Sequence, residues 1–231
     1  RVDVGRTVLV AALAAGLTMS ASAQDRGPYG ELLGLFAEFR AFSQARYNGD
    51  IGGYPAAMQE KAETLQDFQR RLAAMDVTSW SISEQVDYHL VRAEMNGLEF
   101  QLRVTRPWQR DPEFYSLRRA GIGRLPRLPL SETAGARLQA TLQEVPSFFD
   151  AARANLGDGD ISKVAGDFAL LALRTMEPRA AEFSDYVDRL VAQHPNMGTE
   201  ARNAVAAVDG YLDWMRTNRE AMTEIAGVGL D

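Results

Sequence analysis

Residues 81–115, SISEQVDYHLVRAEMNGLEFQLRVTRPWQRDPEFY, carry the segment whose reading decides the fold. Ser81-Ile82-Ser83-Glu84 has the S-x-x-E form of a capping box, in which serine and glutamate satisfy free backbone N–H groups at a helix start. Val86, Leu90, Ala93, Gly97 and the Leu98/Leu102 pair follow at helical spacing, which predicts one long amphipathic helix with that stripe buried. The helix is expected to stop at Arg106-Pro107-Trp108, because proline lacks the donor that would continue it. Asp111-Pro112 then turns the chain into an aromatic pair, Phe114 and Tyr115.

The same period runs outward in both directions, and no strand alternation competes with it. Residues 29–46 place Leu32, Leu33, Leu35, Phe36, Phe39 and Phe42 on one broad face. Asn48-Gly49-Asp50 and Gly52-Gly53 break the chain, and Pro55 suits the first turn of a second helix. Met58, Ala62, Leu65, Leu72 and Met75 line that helix, with Phe68 close by. Beyond residue 130, Ser131 is expected to cap a helix reaching about Leu156, with Leu138, Leu142, Val145 and Phe149 inward and a kink at Pro146. Gly157-Asp158-Gly159-Asp160 reads as a turn whose last aspartate caps a helix presenting Ile161, Val164, Phe168 and Leu171. Pro178 is expected to open or kink a further segment bearing Phe183, Tyr186 and Leu190, and Thr199 to cap a last helix with Val205, Val208, Leu212 and Met215. Short connections predict antiparallel neighbours. The expected fold class is therefore all-α, a multi-helix antiparallel bundle forming one domain over residues 24–231.

Residues 107–130 are the irregular part, with Pro107, Pro112, Pro126, Pro129, Gly121 and Gly123. A connection of this length in a compact domain points to a packed functional loop, with a short helical turn near 113–119. Hydrophobic residues make up 46% and charged residues 24%, which fits a globular chain rather than a disordered one. The net charge is −6 and no run of Lys or Arg occurs, so nucleic acid is not an expected partner. The absence of cysteine excludes disulfides and thiol catalysis and leaves no residue for lipid anchoring. Arg1 and Arg6 flank a short apolar run, Thr7 to Met19, and Ala21-Ser22-Ala23 has the A-x-A form of a cleavage site. Residues 1–23 are thus expected to be an export signal cut after Ala23, giving a periplasmic or secreted protein without a stable membrane span.

Only two histidines occur, His89 and His194, and neither opens an H-E-x-x-H zinc motif. Three protein ligands are the usual need of a catalytic zinc, so no metal or other cofactor is expected in this chain. His89 is expected to be a partly buried helix residue and His194 a surface loop residue. Gly157–Asp160 lacks the spacing of a calcium loop, Gly121-x-Gly123 lacks the strand that would make it a phosphate cradle, and no serine sits in a nucleophile elbow. No catalytic residue is assigned. The candidate ligand-binding residues are Arg106, Trp108, Arg110, Asp111 and Tyr115, because arginine beside aromatic rings can hold a carboxylate or stack on a ligand. The same five residues also fit a loop anchored to the core by Trp108 and Tyr115, with Arg110 and Asp111 paired locally.

The pattern Asp87-Tyr88, Arg92-Ala93-Glu94, Arg106-Pro107-Trp108 and Asp111-Pro112-Glu113-Phe114-Tyr115 resembles the N-terminal half of a bacterial exported family known as domain of unknown function 885. LPLSETAGARLQATLQEVPSFFDAARANL at the start of the second half resembles that family's next segment. The resemblance implies a zinc metallopeptidase-like protein whose His- and Glu-bearing helix lies C-terminal to these residues. It implies zinc for the longer protein, a peptide substrate, and a C-terminal catalytic region as the partner. Two expectations follow. In one, the chain is the N-terminal helical region of an exported zinc-dependent hydrolase and is inactive alone. In the other, it is a stand-alone periplasmic module that binds a ligand or partner. An exposed apolar patch would speak for the first, and a fully polar surface over a closed core for the second.

Overall fold

Ser81 and Glu84 close the capping box: the Ser81 N–H donates to Glu84 Oε2 at 2.8 Å and the Glu84 N–H to Ser81 Oγ at 3.3 Å. The helix they start, α3, runs over Ile82–Phe100, after α1 (Gly27–Gln44) and α2 (Tyr54–Ala73). A computed structural model describes residues 27–227. The expected export signal lies outside the described residues. After the irregular loop come α5 (Glu132–Asn155), α6 (Gly166–Gln193) and α7 (Gly198–Asn218), with a four-residue turn, α4 (Pro107–Arg110), inside the loop. No strand occurs among the described residues, so the fold is all-α.

The first three helices pack on one another, and α7 packs against both α5 and α6. Phe39, Phe42 and Phe68 interlock at the α1–α2 contact, with centroids 5.2 to 6.5 Å apart, over the buried Leu32, Leu65, Leu72 and Met95. In the second group Phe149 of α5 lies against Tyr211 of α7 at 4.9 Å, among Val145, Ala169, Met176, Phe183 and Val208. All of these belong to one continuous core. The groups are tied by Asn155 Nδ2, which donates to the Ile51 carbonyl at 2.8 Å across the α1–α2 connection. Among the described residues no helix is long and apolar enough to cross a membrane.

Four local expectations are corrected. The stripe of α3 that faces the core is Val91, Met95 and Leu102, with Tyr88 and Leu98 packed beside it; Val86, Leu90, Ala93 and Gly97 face outward. Two apolar stripes run along this helix, and α1, α2 and Trp80 cover only one of them. Of the two roles expected for Pro178, opening a segment is excluded, because α6 continues through it as a single helix with the proline inside. Proline leaves the Arg174 carbonyl without its helical donor, but both residues are exposed, so the carbonyl is open to solvent rather than buried unpaired. Asp160 caps the short 3-10 turn Ile161–Lys163, accepting from the Ser162 N–H at 3.1 Å, and α6 buries Ala169, Ala172, Leu173 and Met176 while Leu171 is exposed. Finally, α7 begins at Gly198 after a 3-10 turn, without a side-chain cap from Thr199.

Candidate functional site

The loop that follows α3 is built by proline and by buried tyrosines. α3 widens into a π-helical turn, Gln101–Thr105, closed by the Arg106 N–H on the Gln101 carbonyl at 3.2 Å. Arg106 then takes a left-handed conformation, φ 34° and ψ 60°, which suits a residue barred from the helical region by the following proline. Pro107 starts the α4 turn and Pro112 the 3-10 turn Pro112–Tyr115. Asp111 caps the latter by accepting from the Glu113 N–H at 2.9 Å. Two phenols hold this loop from behind. Tyr115, fully buried, donates to the Trp108 carbonyl at 2.7 Å, and Tyr211 of α7 donates to the Pro112 carbonyl at 2.9 Å. Glu113 adds a contact to α6, accepting from Thr175 Oγ1 at 3.1 Å.

The five predicted residues are thus split. Arg110 is 7% exposed and points inward, donating to the Val104 carbonyl at 3.1 Å and to the Ile225 carbonyl, with Glu224 at 3.7 Å. It does not pair with Asp111. It ties the end of α3 to the tail after α7, where the Glu224 N–H also reaches the Val164 carbonyl at 3.2 Å. Tyr115 lies in the core, and burial raises its phenol above the ordinary value. Asp111 is half-buried, and burial first, then the neighbouring Glu113, raises its carboxyl while the Glu113 N–H works against the rise. Arg106 is half-buried, with its Nε unpartnered. Only Trp108 reaches a cavity, its ring 5.8 Å from that of Tyr54.

That cavity, of about 590 Å³, lies where the α1–α2 connection, the end of α3 and the 107–115 loop converge. Its rings are Tyr47, Tyr54, Trp108 and Phe114, and its cations are Arg46, Lys61 and Arg119. No aspartate or glutamate lines it, although the protein carries a net charge of −6. Tyr54 is the hub, with Tyr47, Trp108 and Phe114 all within 5.8 Å, centroid to centroid. Arg119 stacks over Phe114 at 3.8 Å and stands 6.0 Å from Tyr54, so its guanidinium is held in place by rings. Lys61 donates to the carbonyl of Ser43 at 3.0 Å, lies 5.4 Å from the Phe42 ring, and has its ammonium lowered by burial. None of the three cations forms an ion pair among the described residues. A larger cleft of about 720 Å³ between α1 and the end of α2 has mixed charge, Glu31, Glu38 and Asp76 against Arg71. Its arginine is already paired to Glu38 at 2.8 Å, which leaves it little to offer an anion.

Of the five residues singled out in the sequence Trp108 lines this cavity, and Tyr47, Tyr54, Lys61 and Arg119 join it only through tertiary packing. The histidines sit elsewhere. His89 is exposed on α3, not partly buried, because it flanks the outward stripe. His194 is half-buried rather than a free surface residue, its Nε2 3.4 Å from the Leu130 N–H. Among the described residues no group of three or more His, Asp or Glu could hold a metal. The zinc implied by the family resemblance has no ligand set among the described residues.

No family model matches the chain, and no curated protein sequence matches it. Among solved structures it is similar to "a putative lipoprotein of unknown function" from Shewanella oneidensis, at 18% sequence identity and a TM-score of 0.47. The match covers 82% of this chain and 35% of that one, so the chain spans about a third of that protein's length.

Proposed function

We propose that the chain is a helical binding module that holds an anionic ligand with a ring-bearing or apolar body in the Tyr54–Trp108 cavity. The observation that carries this is the lining itself: three cations and four aromatic rings with no carboxylate, in an acidic protein. Lys61 is half-buried and no carboxylate of the lining offsets its desolvation, while Arg46 and Arg119 stand exposed beside it without an ion pair. A bound anion supplies the missing charge, with Arg119 presenting donors fixed by stacking and Lys61 a point charge. The rings give the rest of the ligand an apolar wall. No group in the cavity pairs a nucleophile with a base, so the reading is binding rather than catalysis.

The test is titration with aromatic carboxylates, followed by tryptophan fluorescence, of the purified chain with Trp80 and Trp214 replaced by phenylalanine so that Trp108 is the sole reporter. Saturable quenching is expected, weakened at least tenfold in Arg119→Ala and Lys61→Ala at unchanged melting temperature, and weakened for the uncharged amide analogue. Equal binding of acid and amide would sink the proposal. A second reading, the N-terminal helical region of an exported zinc-dependent hydrolase, is supported by the uncovered apolar stripe on α3. Under it, activity on peptides appears only when a C-terminal catalytic region is supplied, and the chain alone stays inactive.

A further inference from the structure

The outward stripe of α3 contains Ile82, Val86, Leu90, Ala93, Gly97, Phe100 and Val104. Ile82 is 84% exposed and Leu90 61%, and together with Val86, Phe100 and Val104 they make a contiguous exposed apolar patch, which marks an interaction surface where scattered single residues would not. Successive members are three or four residues apart, so they form one straight seam along the helix, roughly 33 Å long at 1.5 Å per residue. No charged residue interrupts the seam, and depletion of charge is the mark of an interface core. Arg92 and Glu94 stand about a quarter-turn to either side, and Glu94 is already held by Arg40 at 3.0 Å. The patch continues past the helix, because Arg110 holds the backbones of Val104 and the exposed Ile225 together.

Two surfaces are available to cover it, another region of a longer protein or a second copy of this chain. The distribution of bulk along the seam selects the copy. We infer that two chains associate through α3, antiparallel, about a two-fold axis at Ala93. Turning one copy end over end at Ala93 sets Ile82 opposite Val104, Val86 opposite Phe100 and Leu90 opposite Gly97, because the members of each pair lie equally far from Ala93 or within one residue of it. The large Leu90 then enters the gap left by the partner's Gly97, and Ala93 meets Ala93, so the backbones approach closely at the centre. Along one rim, His89 meets the partner's Asn96, two groups that can hydrogen-bond. A parallel pair would instead put Gly97 on Gly97 and Phe100 on Phe100, leaving a hole beside a collision.

Gly97 supplies independent support. It sits in the middle of a helix, where glycine is the weakest former after proline, and a methyl group added there would meet nothing within 4 Å in its own chain. The fold of one chain does not require that glycine; the seat for the partner's Leu90 does. The exposed parts of the seam amount to roughly 600 Å² per copy, so a pair can bury at most on the order of 1,200 Å², at the lower bound of a specific interface.

The experiment is sedimentation velocity on the purified chain over a wide concentration range, with cysteine cross-linking. A dimer is expected. Leu90→Glu and Gly97→Leu should each raise its dissociation constant at least tenfold, and Gly97→Leu should raise the melting temperature of the separated chain because leucine is the better helix former. As the chain has no cysteine of its own, Ala93→Cys should oxidise to a covalent dimer. Ile82→Cys alone should not, whereas Ile82→Cys with Val104→Cys should. A chain that stays monomeric at high concentration overturns the inference and leaves the seam to another partner. Self-cross-linking of Ile82→Cys overturns the antiparallel arrangement, and a dimer indifferent to Leu90→Glu places the interface elsewhere. None of these readings depends on the anion cavity, whose ligand titration can fail or succeed separately.

Discussion

Removing the hydroxyl of Tyr115 or Tyr211 should loosen the 107–115 loop, and the loss should depend on pH in a defined direction. Each phenol is fully buried and donates to a carbonyl of the loop, Trp108 and Pro112 respectively. Replacement by phenylalanine keeps the ring packing, deletes the donor and leaves a carbonyl unsatisfied, a cost of about 1–3 kcal/mol for each. A deficit of about 2 kcal/mol at pH 8 is therefore expected for Tyr115→Phe and for Tyr211→Phe. Burial raises both phenols above the ordinary value in the folded state. In the unfolded chain they ionise near 10. The folded state keeps protons that the unfolded state releases, so stability is full below about pH 10 and falls as pH rises, by about 1.4 kcal/mol per pH unit for each buried tyrosine. Each variant lacks one such group, so its stability falls less steeply by that amount. A deficit of about 2 kcal/mol at pH 8 should then vanish by about pH 11.5. Tyr186, also raised by burial, adds to the slope of all three proteins alike. Urea denaturation at pH 8 and pH 11.5, followed by far-ultraviolet circular dichroism, reads this directly. If the deficit is the same at both values, the phenols are not held neutral in the folded protein and the reasoning fails.

Trp108→Ala should lower stability by about 3 kcal/mol, near the bottom of the range for large core aromatics, because one edge of the ring borders an open cavity that water can enter. An unchanged melting temperature would show that the ring serves the cavity alone. Asp111→Asn should stabilise the protein at pH 7: burial raises the aspartate carboxyl, so its charge opposes folding above the ordinary carboxylate range, whereas asparagine keeps an acceptor for the Glu113 N–H. The gain should disappear near pH 3, where the aspartate is protonated in both states, and thermal melts at the two pH values decide it.

The parts of the fold legible in the sequence are those fixed by a few neighbouring residues. Ser81 and Glu84 specify a helix start by themselves, and Pro55 marks the first turn of α2 because only there is its missing donor free of cost. Pro178 taken alone leaves a helix start and a kink within a helix equally open. Ala169, Ala172, Met176, Ala180, Phe183, Val187 and Leu190 keep helical spacing straight across it, and that register was the signal that the helix continues. On α3 the difficulty is different in kind. Both stripes are apolar at helical spacing, and the outward one holds the larger share of aliphatic residues. Nothing within one helix says which stripe α1 and α2 will cover.

The candidate cluster shows the same limit at the level of the site. Turn geometry distributes the arginine and aromatic residues between 106 and 115 over two environments. The 3-10 turn after Pro112 sends Tyr115 inward to the Trp108 carbonyl and leaves Phe114 outward under Arg119. α4 likewise sends Arg110 into the protein toward Val104 and Ile225 while Trp108 borders the cavity. Residues adjacent in sequence must therefore give opposite phenotypes. Replacing Arg110 or Tyr115 removes hydrogen bonds that hold the loop and should reduce stability first. Replacing Phe114 removes the platform under Arg119 and should reduce anion binding first, since the ring is only half-buried and its loss frees the guanidinium to move. A Phe114→Leu protein that keeps its melting temperature and loses the preference for acid over amide ligands would tie the cavity to binding. One that unfolds with full ligand preference in its remaining folded fraction would reduce the aromatic wall to a structural part of the bundle.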